Sequence, residues 1–190
     1  YLLCNGFADL RAPLGAKGSL LLDPKNITIT SAGGAFVAAD NDQFADGGGA
    51  NTNTISGANL SAGINAASVT LQANNDITFD DTVTSATTND LTVQAGRSII
   101  FTPNGVVTLG GLFQATINHN SADATNRDAG AATFDMQGSS SLTAREGVTI
   151  LGGTLAADST GPTSVDANLG NFSLTSITTS STTAGNNAGN

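Results

Sequence analysis

The chain alternates apolar and polar residues in short runs that are separated by polar corners. In "VTLQANNDITF", residues 69 to 79, Val69, Leu71 and Ala73 alternate with Thr70 and Gln72. A corner of Asn-Asn-Asp follows, and a second short alternating run completes the segment. A period of two is typical of a β-strand with one buried face. The segment therefore predicts two short strands joined by a tight corner.

Similar segments recur along the chain: "LLLDPKNITIT" from Leu20, "LTVQAGRSIIF" from Leu91 and "LTAREGVTIL" from Leu142. Leu91 lies 22 residues after Val69, and Ile99 lies 22 residues after Ile77, so the offset persists through the corner. A repeat of roughly 20 to 50 residues predicts units that bury their apolar faces by stacking on one another.

A second pair of similar segments is "GVVTLGGLFQA" from Gly105 and "GVTILGGTLAA" from Gly147. We expect these to be equivalent strands that are interrupted by Gly-Gly at equivalent points. Asp23-Pro24, Gly33-Gly34 and Asn104-Gly105 stand between predicted strands, because such residues tolerate tight or left-handed turns.

The repeat predicts the fold class. Helices are disfavoured, since the apolar spacing is two and few stretches escape Gly or Asn for three turns. A propeller would need about 40 residues per blade and recurrent aromatic signals, which the sequence lacks. We therefore expect one all-β domain over residues 1–190, a parallel β-helix (β-solenoid). Its successive coils should stack Val69 near Leu91 and Phe79 near Phe101, with protruding irregular loops near 31–65 and 118–131.

Composition and charge narrow the possible partners. The chain has 15 acidic and 6 basic residues and a net charge of -9, which argues against nucleic acid as a partner. No apolar run approaches the roughly 18 residues of a membrane helix, so we expect no membrane span.

Cys4 is the only cysteine, which fits an exported protein without internal disulfides. The favoured interpretation is a small packed apolar group, and pairing with another chain stays open. The chain has no initiator Met and no signal-peptide pattern at residue 1, so we expect a mature or excised piece of a longer protein.

Three segments carry a resemblance to a known family: "GSLLLDPKNITIT" (18–30), "NTNTISGANLSAGINAASVTLQANNDITF" (51–79) and "DLTVQAGRSIIF" (90–101). Over roughly half of its length the chain resembles the filamentous haemagglutinin family of exported bacterial proteins, which are secreted by the two-partner route. The resemblance implies a right-handed β-helical rod at the bacterial surface or outside the cell. It implies roles in adhesion, contact-dependent toxicity or matrix formation.

Two acidic groups are candidate sites. Asp40, Asp42 and Asp46 lie close together in "DNDQFADGG", and calcium prefers oxygen-rich loops. The spacing is not that of an EF-hand, so solvated loop carboxylates are the favoured interpretation.

Asp76, Asp80 and Asp81 could supply the paired carboxylates or the calcium ligands of a polysaccharide lyase or hydrolase. Asp76 is better explained as a turn residue that bonds its own backbone. Arg97 and Arg145 are expected to cover strand ends at comparable corners.

His119, the only histidine, lies in "INHNSAD" without a nucleophile motif nearby, and a solvent-facing loop residue is the favoured interpretation. Asn26, Asn59 and Asn171 begin N-x-S/T sequons, which arise readily by chance in this composition. We predict no catalytic residue, metal site or cofactor.

These observations favour an extracellular structural or adhesive protein that is not an enzyme. A stack without a capping helix would leave unpaired edges, so we expect end-to-end self-association or continuation in a longer chain, with contacts to cell surfaces or glycans. The main alternative is a carbohydrate-active or carbohydrate-binding β-helix. Ice binding by threonines in "ITIT" and "SLTSITT" ranks last, because not every repeat carries Thr-x-Thr.

Overall fold

The computed structural model describes residues 20–22, 25–34, 52–122, 127–152, 169–173 and 177–179. Within them, the chain forms stacked sheets of parallel strands and one short helix. This mostly parallel, strand-dominated architecture agrees with the predicted all-β class. The acidic segment at residues 40–46 and Cys4 lie outside the described residues.

Three sheets contain all the described strands. Sheet A contains β1 (Leu20–Leu22), β4 (Val69–Ala73), β7 (Leu91–Ala95), β10 (Leu112–Ile117) and β13 (Gly147–Gly152). Sheet B contains β3 (Thr52–Ile55), β2 (Asn26–Gly34), β5 (Ile77–Asp80), β8 (Ile99–Phe101), β11 (Ala132–Met136) and β14 (Leu169–Ser173). Sheet C contains β6 (Thr82–Ser85), β9 (Val106–Leu109), β12 (Ser141–Ala144) and β15 (Ile177–Thr179).

The chain visits the sheets in a fixed order. Strands β4, β5 and β6 lie in sheets A, B and C, and β7, β8 and β9 repeat the sequence one position further along each sheet. Val69 pairs with Leu91 and Ile77 pairs with Ile99, both in parallel register. The predicted 22-residue offset is confirmed for these strands.

In the strands from β4 to β12, alternate residues point into a common apolar core. Val69, Leu71 and Ala73 of β4 are buried while the residues between them are partly exposed. The rings of Phe79 and Phe101 stack with centroids 4.6 Å apart, as the register predicts. Such aromatic pairs contribute about 0.5–1.5 kcal/mol beyond the burial of their surface. Phe113 and Phe134 extend this aromatic cluster within the core.

The register survives changes in spacing. Leu91 pairs with Phe113 at 22 residues, Leu112 pairs with Gly147 at 35, and Ile27 pairs with Ile77 at 50. The extra residues fall in the two segments that the sequence analysis separates as loops. Additional chain between two paired strands therefore leaves their pairing intact.

Two sequence equivalences are wrong. The segment from Leu142 begins in sheet C, where Leu142 pairs with Val107, although its sequence resembles the sheet A strand at Val69. The segments from Gly105 and Gly147 also differ, because Val106 starts a strand of sheet C and Gly147 starts a strand of sheet A. The strand, corner, strand pattern occurs at each corner, so similarity alone does not identify the corner.

The loop predicted near 31–65 is wrong for its described parts. Strand β2 continues to Gly34, and Thr52–Ile55 forms β3. Helix α1 (Gly57–Ala66) follows, with Ser56 as its N-cap. Residues 35–51 lie outside the described part of the chain.

Helix α1 forms despite its glycines because its apolar residues pack into the domain. Leu60 and Ile64, one helical turn apart, are fully buried, and the helix packs against β6 and β2. A spacing of four residues places two side chains on the same helix face. The sequence analysis did not predict this helix, which lies beside the last described strand of sheet C.

The described residues of the second loop, 118–122 and 127–131, form no strand or helix, as predicted. They do not project throughout, because Asn118, Ala122 and Arg127 are buried. Asn118 has a positive φ of 51°, a backbone conformation that Asn tolerates better than most residues. The loop folds back across the corner between sheets A and B.

Candidate functional site

The corner between sheets A and B holds a group of interacting polar side chains from several segments of the chain. We call it the corner cluster, and it contains Lys25, Asn26, Asn75, Asp76, Arg97, Ser98, Arg127 and Asp128. We call each passage of the chain through sheets A, B and C a coil. Successive coils bring equivalent corners together: the Asn75 amide donates to the Lys25 carbonyl at 2.8 Å, and the Arg97 amide donates to the Asn75 carbonyl at 2.8 Å. The strand register therefore builds the cluster.

Asp76 and Arg97 form the central ion pair of the cluster. Arg97 Nε donates to Asp76 Oδ1 at 2.8 Å, and a second guanidinium nitrogen donates to Asp76 Oδ2. The Ser98 amide also donates to Asp76 Oδ1, at 3.0 Å. The hydrogen bond from Arg97 to Asp76 raises the pKa of Arg97. Asp76 thus bonds the next coil, and the prediction that it bonds its own turn is wrong.

Asp128 reaches across two coils. Its Oδ1 accepts from Lys25 Nζ at 2.8 Å, and its Oδ2 accepts from Asn75 Nδ2 at 2.9 Å. The Asp128 amide in turn donates to Asn75 Oδ1 at 3.1 Å. The hydrogen bond from Lys25 lowers the pKa of Asp128. These bonds hold the loop that precedes β11 against the corners that precede β2 and β5.

Arg127 and Arg97 tie the same loop to its neighbouring coil. Arg127 is buried and donates to the Gly96 carbonyl at 2.9 Å and to Asn118 Oδ1 at 3.2 Å. Arg97 also donates to the Ala129 carbonyl at 3.0 Å. Buried guanidinium groups persist in proteins when they are paired and hydrogen-bonded. The bonds of the cluster therefore fasten the loop at 127–131 to the neighbouring corners.

The other candidate carboxylates are not gathered into one site. Asp80 accepts from Thr102 Oγ1 and from Asn104 Nδ2, and these bonds lower its pKa. Asp81 Oδ2 accepts from the amide of Gly57, at the start of α1, at 2.8 Å. Asp76, Asp80 and Asp81 therefore each hold a different part of the backbone or a different neighbouring side chain.

Asp90 has a comparable backbone role. Its Oδ1 accepts from the Leu112 amide in the next coil at 2.9 Å. Arg145 is exposed, and its backbone amide donates to the Leu109 carbonyl at 3.0 Å. Within the described ranges, no three or more His, Cys, Asp or Glu side chains are grouped closely enough to hold a metal ion.

His119 lies in the loop, as predicted, but its side chain is partly buried and not fully open to solvent. Its Nδ1 accepts from the Ser121 amide at 3.2 Å, and its own amide donates to the Ala95 carbonyl at 3.0 Å. Burial lowers the pKa of the imidazole. His119 therefore belongs to the packed base of the loop.

The sequon asparagines are engaged in the structure where their side chains are described. Asn26 Oδ1 accepts from Asn75 Nδ2 at 2.8 Å and from the Asp76 amide at 3.2 Å. Asn59 Nδ2 donates to the Gly34 carbonyl at 2.9 Å. Asn171 lies in β14, and its side chain is outside the described part.

The outward faces of the sheets carry uncharged polar columns. Thr84 pairs with Thr108, and Thr108 pairs with Thr143, in sheet C. In sheet A, Gln72 Nε2 donates to Gln94 Oε1 at 2.5 Å. Neighbouring coils therefore bond through amides and present hydroxyls where many soluble proteins present Lys and Glu.

Sequence reasoning missed the main partners of the corner cluster. Lys25 and Asp128 are separated by 103 residues, so no local pattern connects them. Asn75 and Arg97 could have been found, because the 22-residue offset aligns their corners. The loop that carries Asp128 is placed by tertiary contacts.

Comparison with known proteins identifies no family: no family model, no curated protein and no solved structure matches the chain. In the described part of the structure, no helix is both long and apolar enough to cross a membrane.

Proposed function

We propose that the chain is a segment of a right-handed parallel β-helix that serves as a structural or adhesive rod at a bacterial surface. The observation that carries the proposal is the register, in which each circuit from β4 to β15 adds one strand to each of three parallel sheets. Crossovers between parallel strands of one sheet are right-handed in about 98% of cases, which supports the handedness. Each sheet has a linear strand order with two ends, so further strands could extend it in one direction, and this supports a rod.

The polar residues support a structural role over a catalytic one. The candidate carboxylates Asp76, Asp80 and Asp81 each accept hydrogen bonds from neighbouring chain segments. The outward hydroxyl and amide columns suit contacts with neutral, hydroxyl-rich surfaces such as glycans. Within the described residues, no observation favours the carbohydrate-active alternative.

Labelling of intact cells tests whether the protein lies at the bacterial surface in extended material. An antibody raised against the folded chain should label intact cells of the producing bacterium, along extended material that is visible by electron microscopy. A cytoplasmic protein of the same cells, labelled only after permeabilisation, is the matched control. Labelling of our chain only after permeabilisation would contradict the proposal.

A bead assay tests adhesion separately. Beads coated with the folded chain should be retained on glycan-coated or cell-coated surfaces, and free chain should release them by competition. The control beads carry the same mass of a shuffled sequence, which keeps the charge and composition. Surface labelling without specific retention would assign the chain to the structural part of the rod and would remove the adhesive role.

A further inference from the structure

The three sheets end unevenly at the end nearest α1. Beyond the circuit of β4, β5 and β6, sheet A continues into β1 and sheet B continues into β2 and β3. Among the described strands, sheet C ends at β6. Helix α1 packs against β6, where the next strand of sheet C would lie. The helix therefore occupies the place of a missing strand.

The helix bonds one backbone N–H on the outer edge of β6 and two side chains at or beyond the end of that strand. The backbone amide of Thr84, in the middle of β6, donates to Ser61 Oγ of the helix at 2.9 Å. Ser85 Oγ donates to Asn65 Oδ1 at 2.8 Å. Just beyond β6, Asn89 Nδ2 donates to the Ile64 carbonyl at 2.6 Å. An uncovered strand edge readily pairs with another chain, and these bonds cover the β6 edge.

The helix depends on docking for its stability. It has 10 residues, no acidic residue in its first turn and no basic residue in its last turn. Isolated helices shorter than about 12–15 residues are marginal in water. The burial of Leu60 and Ile64 and the bond from the Gly57 amide to Asp81 hold it in place. Loss of docking would uncover the β6 edge.

Like sheet A, whose strands also lack charged residues, sheet C would offer little charge repulsion to a second copy. Its strands β6, β9 and β12 contain no charged residue, although the chain carries a net charge of -9. Like charges placed opposite each other would otherwise disfavour the pairing of identical chains. We propose that the β6 edge is a strand-pairing surface for a second copy of this chain, and that α1 closes it. The proposal rests on the parallel pairing within sheet C and is independent of the adhesive role.

Adding one methyl group at Gly57 tests whether α1 closes the β6 edge. A Cβ at Gly57 would lie 2.1 Å from the Thr82 carbonyl oxygen, so Gly57→Ala should prevent docking of α1. The matched control is Gly34→Ala, where an added Cβ meets nothing within 4 Å. Hydrogen exchange should show the Thr84 amide opening about 100-fold faster in Gly57→Ala only. Sedimentation velocity at about 1–100 µM should then show concentration-dependent association of that variant, with the wild type and Gly34→Ala monomeric.

A second substitution separates edge pairing from adventitious stickiness. Thr84→Pro removes the N–H that faces α1, and proline is tolerated at sheet edges. Adding Thr84→Pro to Gly57→Ala should therefore restore the monomer. If the double variant still associates, exposed Leu60 and Ile64 cause the association and the proposal fails.

Two further results would overturn the proposal. One is a Gly57→Ala chain with rapid Thr84 exchange that stays monomeric over the whole concentration range. The other is a wild-type chain that associates equally while Thr84 remains protected. If Gly57→Ala leaves Thr84 protected, the Leu60→Asn, Ile64→Asn double variant removes both apolar anchors, and the same two measurements decide.

Discussion

At the scale of single residues, the ion pair of Asp76 and Arg97 links two successive coils at their corner. The side chains are only 15% and 22% exposed, respectively. The Ser98 amide adds a third hydrogen bond to the same carboxylate. Three donors from one neighbouring corner therefore converge on this partly buried carboxylate.

We expect Arg97→Met to lower the free energy of unfolding by about 1–2 kcal/mol, because Asp76 would lose its cation while remaining mostly buried. This is less than the roughly 3–5 kcal/mol for a fully buried pair, since solvent screens part of the interaction. Urea unfolding followed by circular dichroism measures the change. Arg145→Met, at an exposed corner, is the control and should stay within about 0.5 kcal/mol of wild type. Equal losses in both variants would contradict this role.

His119 predicts a pH dependence of stability. Burial lowers the pKa of its imidazole in the folded chain, so the unfolded chain binds the proton more tightly. The stabilisation is complete above the ordinary value near 6.5 and is lost as the pH falls from there through the lower folded pKa. Urea unfolding from about pH 7.5 to about pH 5 should show this decline, and His119→Gln should flatten it.

The pH series ends at about pH 5 so that carboxylates with a lowered pKa keep their charge throughout. Hydrogen bonds lower the pKa of Asp80 and of Asp128, so both groups stay charged at about pH 5. A decline of the same size in His119→Gln would assign the effect to other groups.

At the scale of strands and helices, the aromatic stack joins β5 and β8 in the core. Phe79 and Phe101 are fully buried and lie face to face. We expect Phe101→Ala to cost about 3–5 kcal/mol, because the cavity also removes contacts with Phe113 and Phe134.

The control is the neighbouring residue on the outer face. Ile100 is partly exposed, and Ile100→Ala should cost about 1 kcal/mol or less. Thermal and urea unfolding compare the two variants. If the two variants lose similar amounts of unfolding free energy, the burial of Phe101 and the partial exposure of Ile100 are not as described.

The alternation predicted the strands at Val69 and Leu91 and their register, since a period of two and a fixed offset are local signals. It did not identify β6, in which Val83 is the only apolar residue, so no apolar alternation is visible. Nor did it find α1, because Gly and Asn within that segment argue against a helix, and only docking of Leu60 and Ile64 compensates. The sequence offers no sign that Asp128 meets the corner near residue 25, as that contact depends on how a loop folds back.

At the scale of the whole molecule, the coil is the unit that should be transferable. We expect a second copy of residues 69–90, inserted after Asp90, to fold as one further coil, since the inserted strands repeat the register of β4, β5 and β6. Small-angle scattering should show a longer particle, by about one strand spacing of 4.8 Å. The urea m-value should rise with the additional buried surface.

A shuffled insertion is the control for the added coil. It has the same 22 residues in an order that breaks the alternation, so it should remain a loop without protected amides in hydrogen exchange. If the ordered insertion also lacks protected amides, the interpretation of the three sheets as a β-helix is wrong.

Extra residues at a corner do not change the pairing of the strands on either side of it. Pairing in sheet A continues from Leu91 to Phe113 across 22 residues and from Leu112 to Gly147 across 35, the longer stretch including the loop at 118–131. Foreign peptides grafted at a corner should therefore be displayed on the outside while the stacked interior keeps its shape. By the same logic, the exterior of such a protein is free to diversify in evolution much faster than its scaffold.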